Sequence, residues 1–272
     1  MPSDIVLEGR PLPRFPDAAV GRRTVLATGA AAALAGSALA APRFDWPVVE
    51  LRQYTLHRGR RDELITLFER EFIETQDAVG AHVLATFRDL DDPDRFVWMR
   101  GFESMAARAA ALTAFYGGPV WKAHRDAANP TMLDSDNVLL LRPARAGGGF
   151  QGRAGAGEVL AFIHYLDDAA TAPFAAFFER VMRAEVEAAG GRVLGAFASE
   201  TSPNSFPALP IREKDRVFAW FAKPGAGGEA AFLAAWRRRS GWRDDAGEAL
   251  LPAFMRKPEM LRLMPTARSP LA

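Results

Sequence analysis

The sequence predicts an α+β protein in which one β-α-β-β-α-β unit is written twice. Three observations carry this. Short segments recur at a nearly constant offset. The hydrophobic period switches between two and 3.6 in the same order in both copies. The stretch before the first copy has a different composition from everything after it.

The repeat comes first, because a missed repeat misassigns the whole fold. Val83-Leu84-Ala85-Thr86-Phe87 returns as Val193-Leu194-Gly195-Ala196-Phe197, 110 residues later. Trp98 returns as Trp220, Phe115 and Trp121 return as Trp236 and Trp242, and Leu141-Arg142-Pro143 returns as Leu263-Met264-Pro265. These later offsets are 121 or 122, so the second copy has gained residues once, between its second and third strands. The gain falls on residues 199–215, rich in Ser and Pro, which read as a loop.

In the first copy, residues 48–56 alternate as a strand. Val49, Leu51 and Gln53 share one face, and Glu50, Arg52 and Tyr54 the other. Residues 60–79 form a helix with Leu64, Leu67, Phe68 and Phe72 on one stripe. Residues 83–87 and 95–101 are strands joined by a turn containing Pro93. A second helix spans residues 104–125 and is interrupted or ended at Gly117-Gly118-Pro119. Residues 138–141 make the last strand, stopped by Pro143. The second copy repeats this with strands at 159–165, 193–197, 217–221 and 260–263. Its first helix carries Phe174, Phe177, Phe178, Val181 and Met182, with Thr171 expected as N-cap and Pro173 near N1. Its second helix starts at Glu229. The copies run over residues 42–144 and 158–272, and 145–157, with Gly147-Gly148-Gly149, is the linker. Each unit is the ferredoxin-like split, whose helices cover only one sheet face. Two such units meeting sheet to sheet close a single-chain version of a dimeric α/β barrel.

Residues 1–41 read as an export signal. Arg22 and Arg23 precede an uncharged, Ala-rich run that ends in Ser37-Ala38-Leu39-Ala40-Ala41, which suits a signal peptidase. The paired arginines and the weak hydrophobicity suit the twin-arginine route better than a stable anchor. The expectation is a periplasmic or secreted protein with no stable membrane span once the signal is cleaved. The 272-residue chain has 34 basic and 33 acidic residues, of which four arginines and three acids lie in 1–41. The mature portion is therefore neutral, with no electrostatic footprint for nucleic acid. The absence of cysteine excludes disulfides, thiolate nucleophiles and thiolate zinc sites.

The first copy resembles the NIPSNAP family. The resemblance is carried by Glu50-Leu51-Arg52-Gln53-Tyr54-Thr55-Leu56, by Phe96-Val97-Trp98-Met99-Arg100-Gly101-Phe102, by Ala114-Phe115-Tyr116 with Pro119-Val120-Trp121, and by residues 129–143. It implies the dimeric α/β-barrel superfamily, which holds cofactor-independent monooxygenases, haem-degrading enzymes and proteins without known activity. The family has no settled reaction, so the resemblance supports fold more than function. An export signal departs from the mitochondrial and cytosolic members, and roles tied to those compartments do not carry over.

Candidate chemistry gathers in the first copy. Tyr54, Arg100 and His124 form the candidate catalytic set, with His124 or Tyr54 taking a proton and Arg100 or Arg52 holding the resulting anion. Arg52, Tyr116, Trp121, Asn129 and Asp136 are candidate ligand contacts. Each has a plainer reading: Arg52 and Arg100 as ion-pair partners of Glu50, Asp134 and Asp136 as turn formers, the Trp residues as core anchors. At the equivalent positions the second copy has Leu160, Phe162 and His164 for Glu50, Arg52 and Tyr54, and Asp245 for His124. A single functional site is therefore expected in the first copy. The four His show no metal spacing, and no cofactor is expected, although one His suffices for haem. The expected function is binding of a small aromatic or hydrophobic ligand, with cofactor-independent monooxygenation as its catalytic form. Non-catalytic binding of a ligand such as haem, or an interaction role, is the alternative. The sequence fits either a monomer or a homodimer.

Overall fold

The computed structural model describes residues 45–239 and 249–272. The expected export signal (residues 1–41) and the repeat positions Trp242 and Asp245 lie outside the described residues. The elements below belong to the unit Pro42–Ala272.

The first half runs β1 (Val48–Leu56), α1 (Arg61–Leu67), a π-helical turn (Phe68–Phe72), α2 (Ile73–Asp77), β2 (His82–Asp89), β3 (Arg95–Phe102), α3 (Met105–Gly117), α4 (Pro119–Ala128), β4 (Met132–Asp134) and β5 (Val138–Pro143). The second half runs β6 (Val159–Leu166), α5 (Thr171–Phe177), a π-helical turn (Phe178–Met182), α6 (Arg183–Ala188), β7 (Arg192–Ser199), β8 (Arg216–Lys223), α7 (Gly228–Arg238) and β9 (Glu259–Pro265). The repeat extends to fine detail. Both π turns fall 110 residues apart, on the related segments FEREF and FERVM. The bulge at Val83/Ala85 in β2 recurs at Val193/Gly195 in β7.

Eight strands close a ring in the order β3-β2-β9-β6-β8-β7-β5-β1, with β1 pairing back to β3. Two seams join the halves. Phe87, Arg88 and Asp89 pair with Pro265, Met264 and Leu263, and Leu141, Arg142 and Pro143 pair with Ser199, Ala198 and Phe197. The short β4 sits on the end of β1 through Thr55 and Leu56. This is the single-chain barrel of two ferredoxin-like units, and it leaves neither inner sheet face exposed.

Strand alternation decides which residues meet inside. Val49, Leu51, Val97, Met99, Ala161, Ile163, Ala219 and Phe221 point into the ring and form one apolar core. Burying a side chain of this size contributes about 1.5–3 kcal/mol, so the ring is a packed core and not a channel. Residues 144–158 do more than link the halves. Phe150 is buried in that core, with ring centroids 5.3 Å from Phe197 and 5.2 Å from Phe221. The linker can cross there because position 195 is glycine: a Cβ would lie 3.1 Å from the Gly149 carbonyl group.

One local expectation needs correction. Helix α5 is capped by Ala170, not Thr171, and the Ala170 amide donates to Asp167 Oδ1 at 2.8 Å. The expected break at Gly117-Gly118-Pro119 is present and divides residues 104–125 between two helices, α3 and α4. Ser104 caps the first by accepting from the Ala107 amide at 3.0 Å, and extended Gly118 followed by Pro119 restarts the second.

Candidate functional site

The even-numbered residues of β1 face the helices and not the barrel interior. In the first half they build a buried charge cluster. Glu50 receives three guanidinium groups: Arg52 Nη1 donates to Oε2 at 2.7 Å, Arg100 Nε to Oε2 at 2.7 Å, and Arg108 Nε to Oε1 at 2.6 Å. All four side chains are at most 1% exposed. Antiparallel register explains the meeting, since Glu50 lies directly across from Arg100 and Arg52 across from Trp98. Arg108 descends from α3. Around them, Arg52 Nε donates to the Tyr54 hydroxyl at 2.9 Å and Arg100 Nη1 to Gln76 Oε1 at 2.8 Å.

Burial by itself would push the Glu50 carboxyl upward. Arg100, Arg52 and Arg108 together outweigh that and hold it well below the usual carboxylate range. Burial pushes the Tyr54 hydroxyl up, against the pull of Arg52. Burial also lowers Arg108, with Glu50 opposing. The cluster is thus ionised, and Glu50 cannot serve as a base near neutral pH.

The second half supplies the cover. Arg108 Nη1 donates to Asn204 Oδ1 at 3.0 Å and Ser205 Oγ at 3.1 Å, and Phe206 stacks on Tyr116 at 6.1 Å. These residues lie in the inserted loop 199–215, whose destination the sequence did not reveal.

The structure brings Tyr54, Arg52, Arg100, Tyr116 and Trp121 into one region. Tyr54, Gln76, Trp98, Tyr116 and Trp121 wall a cavity of about 30 Å³. A water needs roughly 10–15 Å³ on this measure, so the space takes one or two water-sized particles and no aromatic ring. The other three candidates stand apart. His124 is 30% exposed and faces Glu71, with Nε2 3.4 Å from Oε2. Asn129 opens the 3₁₀ turn Asn129–Thr131, where its carbonyl accepts from the Met132 amide. Asp136 is exposed, and its amide donates to Asp134 Oδ1 at 2.7 Å. Burial, with Asp134 adding to it, raises the Asp136 carboxyl.

The larger space is in the second half, against expectation. The equivalent strand face carries Leu160, Phe162 and His164, set across from Ala222, Trp220 and Phe218. With no charge cluster there, a cavity of about 980 Å³ opens between sheet and helices. Phe162, Phe174, Phe177, Met182, Trp236, Leu250 and Phe254 give it apolar walls, with Arg237, Arg256, Lys257 and Glu259 also among its lining residues. Sites for drug-sized ligands span about 300–1,000 Å³. Leu251 and Met260 line it and are 58% and 38% exposed.

His164 is the buried polar group of that wall. Trp220 Nε1 donates to His164 Nε2 at 3.0 Å. An indole N–H can only donate, so Nε2 is the acceptor and the neutral ring carries its proton on Nδ1. Nδ1 is buried and has no hydrogen-bond partner. Burial lowers the imidazole to about 4, so it is neutral at physiological pH. The other histidines differ: His57 is exposed beyond β1, and His82 stacks on Trp46 at 4.0 Å.

Comparison with known proteins fits this geometry. Residues 49–146 match the NIPSNAP family model. The match spans the first half and the start of the linker. No curated protein sequence matches the chain. Two solved structures overlay most of it. An anthrone oxidase-like protein is 13% identical at a TM-score of 0.51, over 83% of this chain and 94% of its own. A protein from Lactobacillus acidophilus NCFM described as a "putative monooxygenase" is 13% identical at a TM-score of 0.50, over 81% of this chain and 94% of its own. At that identity the likeness shows the fold, which is the dimeric α/β barrel in one chain. Among the described residues no helix is long and apolar enough to cross a membrane.

Sequence reasoning missed Arg108, Gln76, Asn204, Ser205 and the importance of His164. Two of these left a signal. Arg108 is the lone charge in the helix MAARAAALTAFYG, and His164 is the lone polar residue in the strand VLAFIHYL apart from its neighbour Tyr165. A single polar residue on an otherwise apolar buried element requires a partner.

Proposed function

We propose that the protein binds a small, ring-bearing hydrophobic molecule in the second-half cavity. The reading rests on one observation: an apolar cavity of about 980 Å³ has in its wall a buried imidazole Nδ1 without a partner. A buried donor left unmade costs about 1–3 kcal/mol. A carbonyl or ether oxygen on the ligand would recover that, while the Phe and Trp walls take the rings.

Oxygenation of an electron-rich hydroxyaromatic by O2 is the catalytic form of the same reading. The neighbours described as anthrone oxidase-like and "putative monooxygenase" lend it support. It needs a base for the substrate hydroxyl, and His164 is poorly suited: its lone pair is taken by Trp220 and burial holds its pKa at about 4. Binding is therefore the favoured reading. Haem held by this imidazole fits less well still. To reach iron through Nδ1 the ring would move its proton to Nε2, where Trp220 already donates.

Native mass spectrometry of protein purified from its producing cells tests the proposal. The expected result is a discrete added mass, lost or weakened in His164→Phe. Catalysis would add O2 uptake with a quinol substrate, also lost in that variant. A bare protein mass, with no binding across a panel of polycyclic ketones, would refute the binding reading. We also propose twin-arginine-type export, on the strength of Arg22-Arg23 and the Ala-rich run that follows. The mature protein should be periplasmic and begin near Pro42, and Arg22→Lys/Arg23→Lys should trap the precursor in the cytoplasm. An unprocessed wild-type N-terminus would refute it.

A further inference from the structure

The first-half cluster is out of balance in two ways. Three guanidinium groups surround one carboxylate, so two positive charges remain in a fully buried region. Asp136 also feels Arg52, but it is an exposed residue outside the cluster. Uncompensated buried charge is among the costliest features a fold can carry.

The hydrogen bonding is lopsided in the same direction. Arg100 Nη2, Arg108 Nη2, Trp98 Nε1 and Trp121 Nε1 are all buried without an acceptor, and every one can only donate. The Tyr54 oxygen is already the acceptor for Arg52 Nε, which leaves its own proton to give. What this region lacks is an acceptor carrying negative charge.

The space for one is present. Trp98, Trp121 and Tyr54 are 2%, 9% and 7% exposed, and all three wall the cavity of about 30 Å³. Positive charge is close to this wall. Two guanidinium carbons lie near the Trp98 ring, 5.4 Å away for Arg52 and 5.1 Å for Arg100. The Tyr116 ring on the same wall is 6.0 Å from the Arg100 guanidinium. We propose that this cavity binds one small monovalent anion, of halide or formate size, held by the Trp98 and Trp121 N–H groups and the Tyr54 hydroxyl against the charge of Arg52 and Arg100.

The second half provides the internal contrast. Where Glu50, Arg52 and Arg100 stand, it has Leu160, Phe162 and Ala222, and Trp220 finds its acceptor in His164. Trp98, at the matching position, has none. An anion would do for Trp98 what the imidazole does for Trp220.

Two variants keep their rings and lose one donor each: Trp121→Phe and Tyr54→Phe. Thermal unfolding of the full chain would be followed while sodium bromide replaces sodium gluconate at constant ionic strength. Wild-type protein should show a saturable rise in Tm, because an anion that binds only the folded state stabilises it by mass action. Each variant should weaken the apparent bromide affinity about tenfold or more, as expected for a hydrogen bond to a charged group. Crystals grown with bromide should show one anomalous peak between Trp98 and Trp121. A parallel titration with formate separates two sources of the same chemistry. A higher apparent affinity for formate than for bromide points to a carboxylate occupant, and the reverse order points to a halide. A Tm response that is linear and identical in wild type and Trp121→Phe, or ordered water without an anomalous peak, would overturn the proposal.

Discussion

The two halves share a backbone and differ in what they place beneath their helices. The strand registers align Glu50 with Leu160, Arg52 with Phe162, Tyr54 with His164 and Arg100 with Ala222, because each set faces its own Trp98 or Trp220 strand. The repeat offset of 110 likewise aligns Gln76 with Val186. In one half the space is filled by ion pairs and sealed by the 199–215 loop. In the other, apolar residues of smaller reach leave about 980 Å³ open. A buried charge cluster therefore uses up volume and fixes geometry, while its apolar counterpart frees volume for a guest. The division of labour between the halves follows from a few substitutions on one strand face.

The contrast breaks most visibly at Glu50. Glu50→Gln leaves three buried guanidinium groups without their carboxylate, and should cost about 3–5 kcal/mol in urea unfolding. Replacing the cluster wholesale, with Glu50→Leu, Arg52→Phe, Arg100→Ala and Arg108→Met, should recover much of that loss, as apolar replacement of buried ion pairs often does. A Glu50→Gln variant as stable as wild type would mean that this carboxylate is not what compensates the three guanidinium groups.

Acid titration of stability separates the halves by pH. The folded His164 pKa of about 4 lies below the ordinary 6.5, so the unfolded chain binds more protons between these values. Stability present above pH 6.5 is then lost as pH falls toward 4, by roughly 3 kcal/mol, and His164→Phe should flatten that window. Glu50 is also depressed, so its contribution is present above its ordinary value of 4.5 and is lost only below it. A loss confined to pH below 4.5 in the wild type would contradict the His164 assignment.

Smaller effects sharpen the contrast. Asn204→Ala removes one acceptor of Arg108 and loosens the cover from the opposite half, at about 2 kcal/mol in thermal unfolding. His124→Ala, on a side chain 30% exposed and facing Glu71, should change stability by no more than about 0.5 kcal/mol and leave ligand binding intact.

Much of the fold was legible in the sequence, because a barrel of two repeats depends on period and order. The strand faces of β1, the single insertion and the break at Gly118 could all be read from spacing. The site was less legible. That Arg52 and Arg100 share Glu50 follows from cross-strand register, and that Arg108, Asn204 and Ser205 join them depends on a helix and a loop far away in sequence. The cavity was invisible for a related reason. It exists because Leu160, Phe162 and Ala222 fail to fill a space that Glu50, Arg52 and Arg100 fill, and a sequence records residues more readily than room. The polar residues drew the expected site toward the first half, where they pack against each other.

The proposed binding of a ring-bearing ligand turns on that guest belonging to the second half. Quenching of tryptophan emission by anthraquinone-2-sulfonate, a ring-bearing acceptor, would be titrated for wild type, His164→Phe and Tyr54→Phe. A guest in the second half predicts saturable binding to wild type, binding at least about tenfold weaker in His164→Phe, and an unchanged affinity in Tyr54→Phe. Binding lost in Tyr54→Phe and retained in His164→Phe would place the ligand in the first half and contradict it.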